Sequence, residues 1–208
     1  MSNERIWGGR TLAERQAERR EALINAAIEL VGEHGARAMT TKAVCVRAGS
    51  HERYLYESFS SRDDLLLAAF DRCLQETTAE LLNVYLESAN APLVDRIRSV
   101  LAFGMELAAV NPGRVRLLFL ESVSDPVLRE RAESLHTTIE SLCLRAIEEA
   151  GAPGDHTDHQ IMATMLGGGC IQTVIAWASG RLDADTDHLV TAATKQFAAM
   201  LGQPQHVT

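Results

Sequence analysis

Between Thr40 and Phe59 the run TTKAVCVRAGSHERYLYESF gathers side chains suited to reading a polyanion rather than to making or breaking bonds. Thr40 and Thr41 would stand at a helix N-terminus, where free amides and hydroxyls suit a phosphate, and Lys42 is long enough for a phosphate or a guanine. Glu52 can accept from a cytosine amino group, and Arg53 can pair with guanine through two parallel hydrogen bonds. A surface ion pair between these two is the competing use. The Tyr56 hydroxyl suits a phosphate, and Arg62 falls beside the expected backbone path. Spacing supplies the scaffold for this chemistry. Thr40 or Thr41 caps a first helix, Val44 and Ala48 sit four apart on its inner face, Gly49 makes a tight turn, and a second helix runs through Leu55. Leu55 and Phe59 read as core, and Arg47 as part of a solvated face.

The run resembles the TetR family of transcriptional regulators. The resemblance rests on Thr40 and Thr41 opening the first helix, Ala48-Gly49 at the turn, and Leu55-Tyr56 before a final Phe59. It implies an all-α chain, with an N-terminal three-helix DNA-binding domain and a larger six-helix ligand-binding and dimerisation domain. By the same resemblance Thr41, Lys42, Glu52, Arg53, Tyr54, Tyr56 and Arg62 occupy contact positions. The turn departs from the family pattern at Ser50, His51, Arg53 and Tyr54, so base preference does not carry over; Arg53 and Tyr54 are the residues expected to set it.

The net charge of −8 looks unsuited to DNA until it is divided along the chain. Residues 1–62 carry ten Lys and Arg against eight Asp and Glu, whereas residues 63–208 carry ten against twenty. A basic end and an acidic body fit a protein that offers one end to phosphate. Residues 1–16 form an arginine-rich arm: Arg5, Arg10 and Arg15, with Arg19 and Arg20 just beyond, could enter a minor groove, or could pair with Glu14, Glu18 and Glu21 along a helix. Trp7, Gly8 and Gly9 suggest a docked segment.

The elements that must hold these groups read as helices throughout. A first helix near 14–34 carries Leu23, Ala27, Leu30 and Val31 on one face and stops at Gly35. Ser60 or Ser61 with Asp63 or Asp64 opens a long fourth helix striped by Leu66, Phe70, Cys73 and Leu81. Pro92, Pro112 and Pro126 mark the starts of helices near 92–110, 112–123 and 126–150, the last striped by Leu128, Leu135, Ile139, Leu142, Ala146 and Ile147. Two polar breaks precede helices near 156–179 and 186–201. The domains expected are the helix-turn-helix unit at 17–62, with its motif at 40–59, and the larger unit at 63–208.

In the larger unit, Gly167, Gly168 and Gly169 lie inside a helix, where each costs about 1 kcal/mol relative to alanine, so close approach of another helix, as at a dimer interface, is expected. Phe103, Met105, Phe119, Met162, Met165 and Trp177 are large enough to line a ligand pocket or to be plain core. Cys45, Cys73, Cys143 and Cys170 show neither CxxC nor zinc spacing and read as buried, reduced thiols. His156, Asp158 and His159 make a weak metal cluster, and His136 with Cys143 a weak nucleophile pair, so neither metal, cofactor nor catalysis is expected. With no stretch of eighteen apolar residues and no signal-peptide pattern, a cytoplasmic chain without a membrane partner is expected. The expected partners are a palindromic double-stranded operator, a small-molecule effector and a second copy of the chain. A helical small-molecule-binding protein or enzyme that keeps the fold without an operator is the alternative.

Overall fold

The computed structural model describes residues 11–201, and its regular structure is helical, with no strand among them. Helix α1, Leu12–His34, opens on a reciprocal cap in which Thr11 Oγ1 accepts from Glu14 N at 3.2 Å and the Glu14 carboxylate accepts from Thr11 N at 2.6 Å. It ends at Gly35, whose φ of 80° lies in the left-handed region open to glycine. Residues 12–16, read as part of an arm, are therefore helical, because the capping box sets the start at Leu12. Arg5, Trp7, Gly8, Gly9 and Arg10 lie outside the described residues.

After a 3-10 turn at Ala36–Ala38 come α2, Thr41–Arg47, and α3, Glu52–Ser58. Thr40, not Thr41, is the cap of α2, its Oγ1 accepting from Ala43 N at 3.2 Å. Gly49 turns the chain with φ 59°. Helix α4, Arg62–Glu87, is capped by Ser61 from Asp64 N, while the Asp64 carboxylate takes the N–H of Ser60, so the box is offset by one residue from a strict reciprocal pair.

Helix α5 is Leu93–Val110, with Pro92 as its cap, and α6 covers 112–124. Its middle, Arg116–Glu121, is wound as a π-helix. Helix α7, Pro126–Glu149, and helix α8, His156–Ala178, are capped by Asp125 and Asp155, and α9, Thr186–Met200, by Asp185. All three prolines sit in the first turn or at the cap, where the missing N–H costs nothing.

Each predicted stripe faces inward. Leu23, Ala27 and Val31 of α1, Leu55 of α3, and Leu66 and Phe70 of α4 are wholly buried, with Phe59 beside them. Leu128, Leu135 and Ile147 continue the core through α7. Between the two halves, α1 meets α6 backbone to backbone. A Cβ placed on Gly113 would stand 2.6 Å from Ile28 O, and one on Gly32 would stand 2.6 Å from Gly113 Cα. Arg114, the next residue, donates to Glu76 and Glu80 of α4, each at 2.7 Å.

Two glycines of the α8 run meet neighbouring helices of the same chain. A Cβ on Gly167 would meet Ile139 of α7 at 3.3 Å, and one on Gly169 would meet Phe197 of α9 at 2.9 Å, so two of the three let neighbouring helices approach. Gly168 has open space beyond it.

Gly113→Ala should destabilise the protein. Alanine adds about 1 kcal/mol of helix propensity, but the clash is with a carbonyl oxygen that cannot swing aside, and overpacking of this kind costs about 1–3 kcal/mol. A lower urea midpoint for Gly113→Ala, with a smaller change for Gly168→Ala, is the expected result; equal midpoints would remove the case for this contact.

Candidate functional site

Helix α3 is short and stays in place because Leu55 and Phe59 anchor it to the core. Four arginines brace the two-helix unit. Arg47 of α2 grips α1, donating to both oxygens of Glu33 at 2.8 and 2.6 Å and to Glu29 at 3.1 Å. That grip holds the Glu33 carboxyl below its ordinary range and raises Arg47 further above its own. Arg19 lies over the Tyr54 ring at 4.5 Å and Arg20 over the Phe59 ring at 4.6 Å. Arg62 ties α4 to the turn before α2, donating from Nη2 to Ala36 O at 2.6 Å and from Nε to Met39 O at 3.0 Å.

The expected contact residues therefore separate into two groups. Thr40, Lys42, Glu52, Arg53 and Tyr56 of the α2–α3 unit are exposed, and Thr41 is half-exposed. Arg53 is open: its side chain is 83 % exposed, and its Nε donates at 2.9 Å to Glu57 one turn on, not to Glu52. Tyr54 and Arg62 are half-buried and engaged within the chain, Tyr54 under Arg19 and Arg62 on the two carbonyls and Asp63. Arg47, read as a solvated face, is a brace instead. Arg19 and Arg20 were legible as braces from register, since Arg20, Leu23 and Ala27 fall on one helical face. Arg37, which sequence reasoning passed over, and His51, which it named only as a departure at the turn, are exposed at the turn before α2 and at the cap of α3.

The larger half holds two adjoining apolar cavities of about 40 and 50 Å³. Leu81, Val100, Ile139 and Cys170 wall both. Of the expected pocket residues, Phe103 and Phe119 line the second cavity. The others line neither. Met105 is core at 1 % exposure, Met165 points outward at 54 %, Met162 packs against the core, and Trp177 donates from Nε1 to Ala184 O at 3.0 Å, pinning the α8–α9 connection.

Polar groups cluster at the first cavity. Arg96, 5 % exposed, lines it beside Tyr85 and Ser88. It donates from Nη2 to Glu149 at 3.1 Å and lies over the Tyr85 ring at 4.7 Å. Tyr85 and Arg145 also donate to Glu149, and these three, Arg145 foremost, hold its carboxyl below the ordinary range. Arg96 Nε and, at the second cavity, Thr77 Oγ1 are buried with no hydrogen-bond partner. The signal for Arg96 was available in the sequence, since helical spacing sets it among Leu93, Ile97 and Val100.

The weaker clusters are otherwise occupied. Asp158 closes the capping box of α8, His156 faces Glu148 at 3.0 Å, and His159 Nε2 stands 3.0 Å from Ala152 O. His136 Nδ1 stands 3.1 Å from Ala132 O. Among the described residues no group of three ligating side chains could hold a metal. Cys45, Cys73 and Cys170 are buried and Cys143 is half-buried, all four unpaired. Burial pushes the thiols of Cys143 and Cys73 up to about 11 and about 12, and that of Cys170 further.

Residues 23–69 match the family model described as bacterial regulatory proteins, tetR family. The HTH-type transcriptional regulator BetI of Brucella suis biovar 1 is 32 % identical over 90 residues, covering 43 % of this chain and 44 % of BetI. BetI of Brucella abortus is 33 % identical over 84 residues, 40 % of this chain and 41 % of that protein. The matches thus span less than half the length of these curated relatives. In three dimensions the chain is similar to the transcriptional regulator FadR from Bacillus subtilis, solved in complex with stearoyl-CoA, with TM-score 0.71, 18 % identity, 85 % of this chain and 96 % of that one covered. FadR from Bacillus halodurans gives TM-score 0.71 at 17 % identity, with 89 % and 99 % covered. At these identities the likeness is one of fold: an N-terminal helix-turn-helix followed by a helical domain.

Because Glu33 titrates below its ordinary range, its bond to Arg47 adds stability above the normal carboxylate range, and that stability is lost as pH falls through the depressed value. Glu33→Gln should therefore be less stable than the parent at about pH 7, and the gap should close as pH falls through the depressed value. Urea midpoints across that range check this; a gap that persists in acid would assign the loss to packing.

Proposed function

Its N-terminal domain makes this chain a member of the TetR family of transcriptional regulators, and on that footing we propose that it is a homodimeric repressor of a palindromic operator, released when a small molecule fills its larger half. Residues 17–62 are the DNA-binding domain and 63–208 the ligand-binding and dimerisation domain. The observation that carries the reading is the α2–α3 unit itself, whose Thr40, Lys42, Glu52, Arg53 and Tyr56 are exposed while Val44, Leu55 and Phe59 anchor it in the core. Base-edge contacts fall to Glu52 and Arg53, and phosphate contacts to Thr40, Thr41, Lys42 and Tyr56. Tyr54 and Arg62 act by holding the unit in shape.

Helix α8 supports the dimer. It is the one helix among the described residues long and apolar enough to cross a membrane, yet the relevant stretch is only 39 % buried within the chain. Ile161 and Met165 are exposed, and Gly168, one turn further along that face, has open space. A second copy laid on this face buries it and sets two recognition helices on one side of a duplex.

Release follows through α6. Val115 and Phe119 wall the second cavity, and Gly113 on the same helix touches α1 without slack. An occupant that displaces Phe119 shifts α6, and α1 with it, favouring a dimer whose recognition helices no longer match the operator spacing. The FadR complex with stearoyl-CoA shows a fold of this kind in the company of a small-molecule ligand. The cavities favour one other reading, a helical binding protein or enzyme with no operator. Salt separates the two, since operator affinity falls steeply as counterions are released and binding in an apolar cavity does not.

Selection of duplexes from a random library at about 150 mM salt tests the main reading, with an enriched palindrome expected and no enrichment favouring the second. Arg53→Ala should leave the unfolding midpoint unchanged and reduce discrimination at one base pair by about 1–3 kcal/mol; an unchanged ratio between operator and mutated operator would exclude that role. Met165→Glu should sediment as a monomer and lose most operator affinity, and a dimeric Met165→Glu would place the interface elsewhere.

A further inference from the structure

The first cavity combines an apolar wall with one buried cation, and that combination selects a ligand. Its wall is Leu81, Leu93, Ile97, Val100, Ile139 and Leu166, with Cys143 and Cys170 presenting neutral thiols. At one side stands Arg96, 95 % buried, with an Nε–H that no protein atom accepts. A buried guanidinium N–H without an acceptor is costly, and it is satisfied if an oxygen enters the cavity it lines. The charges in contact there are Arg96 and Arg145 against Glu149, one cation in excess. Arg145 and Glu149 are exposed, so the buried guanidinium lies one ion pair from solvent.

We propose that this cavity binds a straight-chain aliphatic carboxylate, its head accepting from Arg96 and its chain lying in the apolar seam between α4, α5, α7 and α8. The proposal rests on the larger half being a ligand-binding domain and names the chemistry it takes. Arg96 donates to the head from Nε without giving up its bond to Glu149, because that bond uses Nη2. The cavities are small, about 40 and 50 Å³. The two share four walls, so a chain that moves Leu81 or Val100 joins them into one channel and reaches Phe119. Thr77, at the second cavity, offers a single neutral hydroxyl and sets no charge requirement on the chain beside it.

Octanoate, dodecanoate and hexadecanoate, each paired with its own primary alcohol, are titrated calorimetrically into the full chain. At least one acid should bind about tenfold or more tightly than its alcohol, the worth of one charge-assisted hydrogen bond. Arg96→Met should close that gap, and Glu149→Gln, which removes the competing carboxylate, should widen it. Equal binding of acid and alcohol, a gap that survives in Arg96→Met, or no binding of any acid would overturn the proposal, as would binding of hexadecanoyl-CoA without any free acid. Should Arg96→Met fail to fold by circular dichroism, the Glu149→Gln result decides alone, a narrower gap counting against it. Duplex selection on the same preparation keeps the readings apart: an enriched operator with no acid bound removes only this ligand, and a bound acid with no operator removes only the regulator.

Discussion

The contact between Gly32 of α1 and Gly113 of α6 is the constraint on which the molecule's two halves depend. Neither position tolerates a Cβ, because what it would meet is main chain: Ile28 O for Gly113, and Gly113 Cα for Gly32. Backbone packed on backbone has no rotamer with which to absorb a displacement, so α1 and α6 move together or separate. Arg114 extends the junction to α4 through Glu76 and Glu80, and Arg116 with Glu121 closes over Gly35 at the end of α1. The residues after Gly113 are π-wound and carry Phe119 to the cavity wall. One short element thus touches the helix that carries the DNA-binding unit and the space that can admit a ligand.

Arginines divide the labour elsewhere. Arg47, Arg62 and Arg114 each hold two partners across elements, and Arg19 and Arg20 lie over aromatic rings, so their positions are set by the fold. The planar guanidinium suits such bridging, because several donors satisfy separate acceptors at once. Arg53 has one neighbour on its own helix and extends into solvent. The difference lies in geometry and not in residue type. Counting arginines along the chain therefore locates a basic end but does not distinguish those that extend into solvent from those that brace.

Helix α8 shows the same principle in apolar form. Its glycines let α7 and α9 approach on two sides, and the remaining face carries Ile161 and Met165 to the surface. A helix apolar on every side and incompletely covered by its own chain is suited to a further partner.

The sequence by itself determined the secondary structure and the inward faces. Glycine stops, proline starts and Ser, Thr or Asp caps act within a turn of where they stand, so their effect is readable from neighbours alone. The apolar stripes of α1, α4 and α7 follow from helical period, and the exposed group at Thr40, Lys42, Glu52, Arg53 and Tyr56 from the motif spacing. Tertiary structure alone decided which helix each residue meets. Nothing near Gly113 in the chain indicates Ile28, nothing near Glu149 indicates Arg96 and Tyr85, and Tyr54, Arg62, Met105 and Met165 took roles set by neighbours distant in sequence. Cavity shape and ion pairing depend on side chains converging from four or five helices, and that convergence is a property of how the helices pack, which no local window of sequence contains.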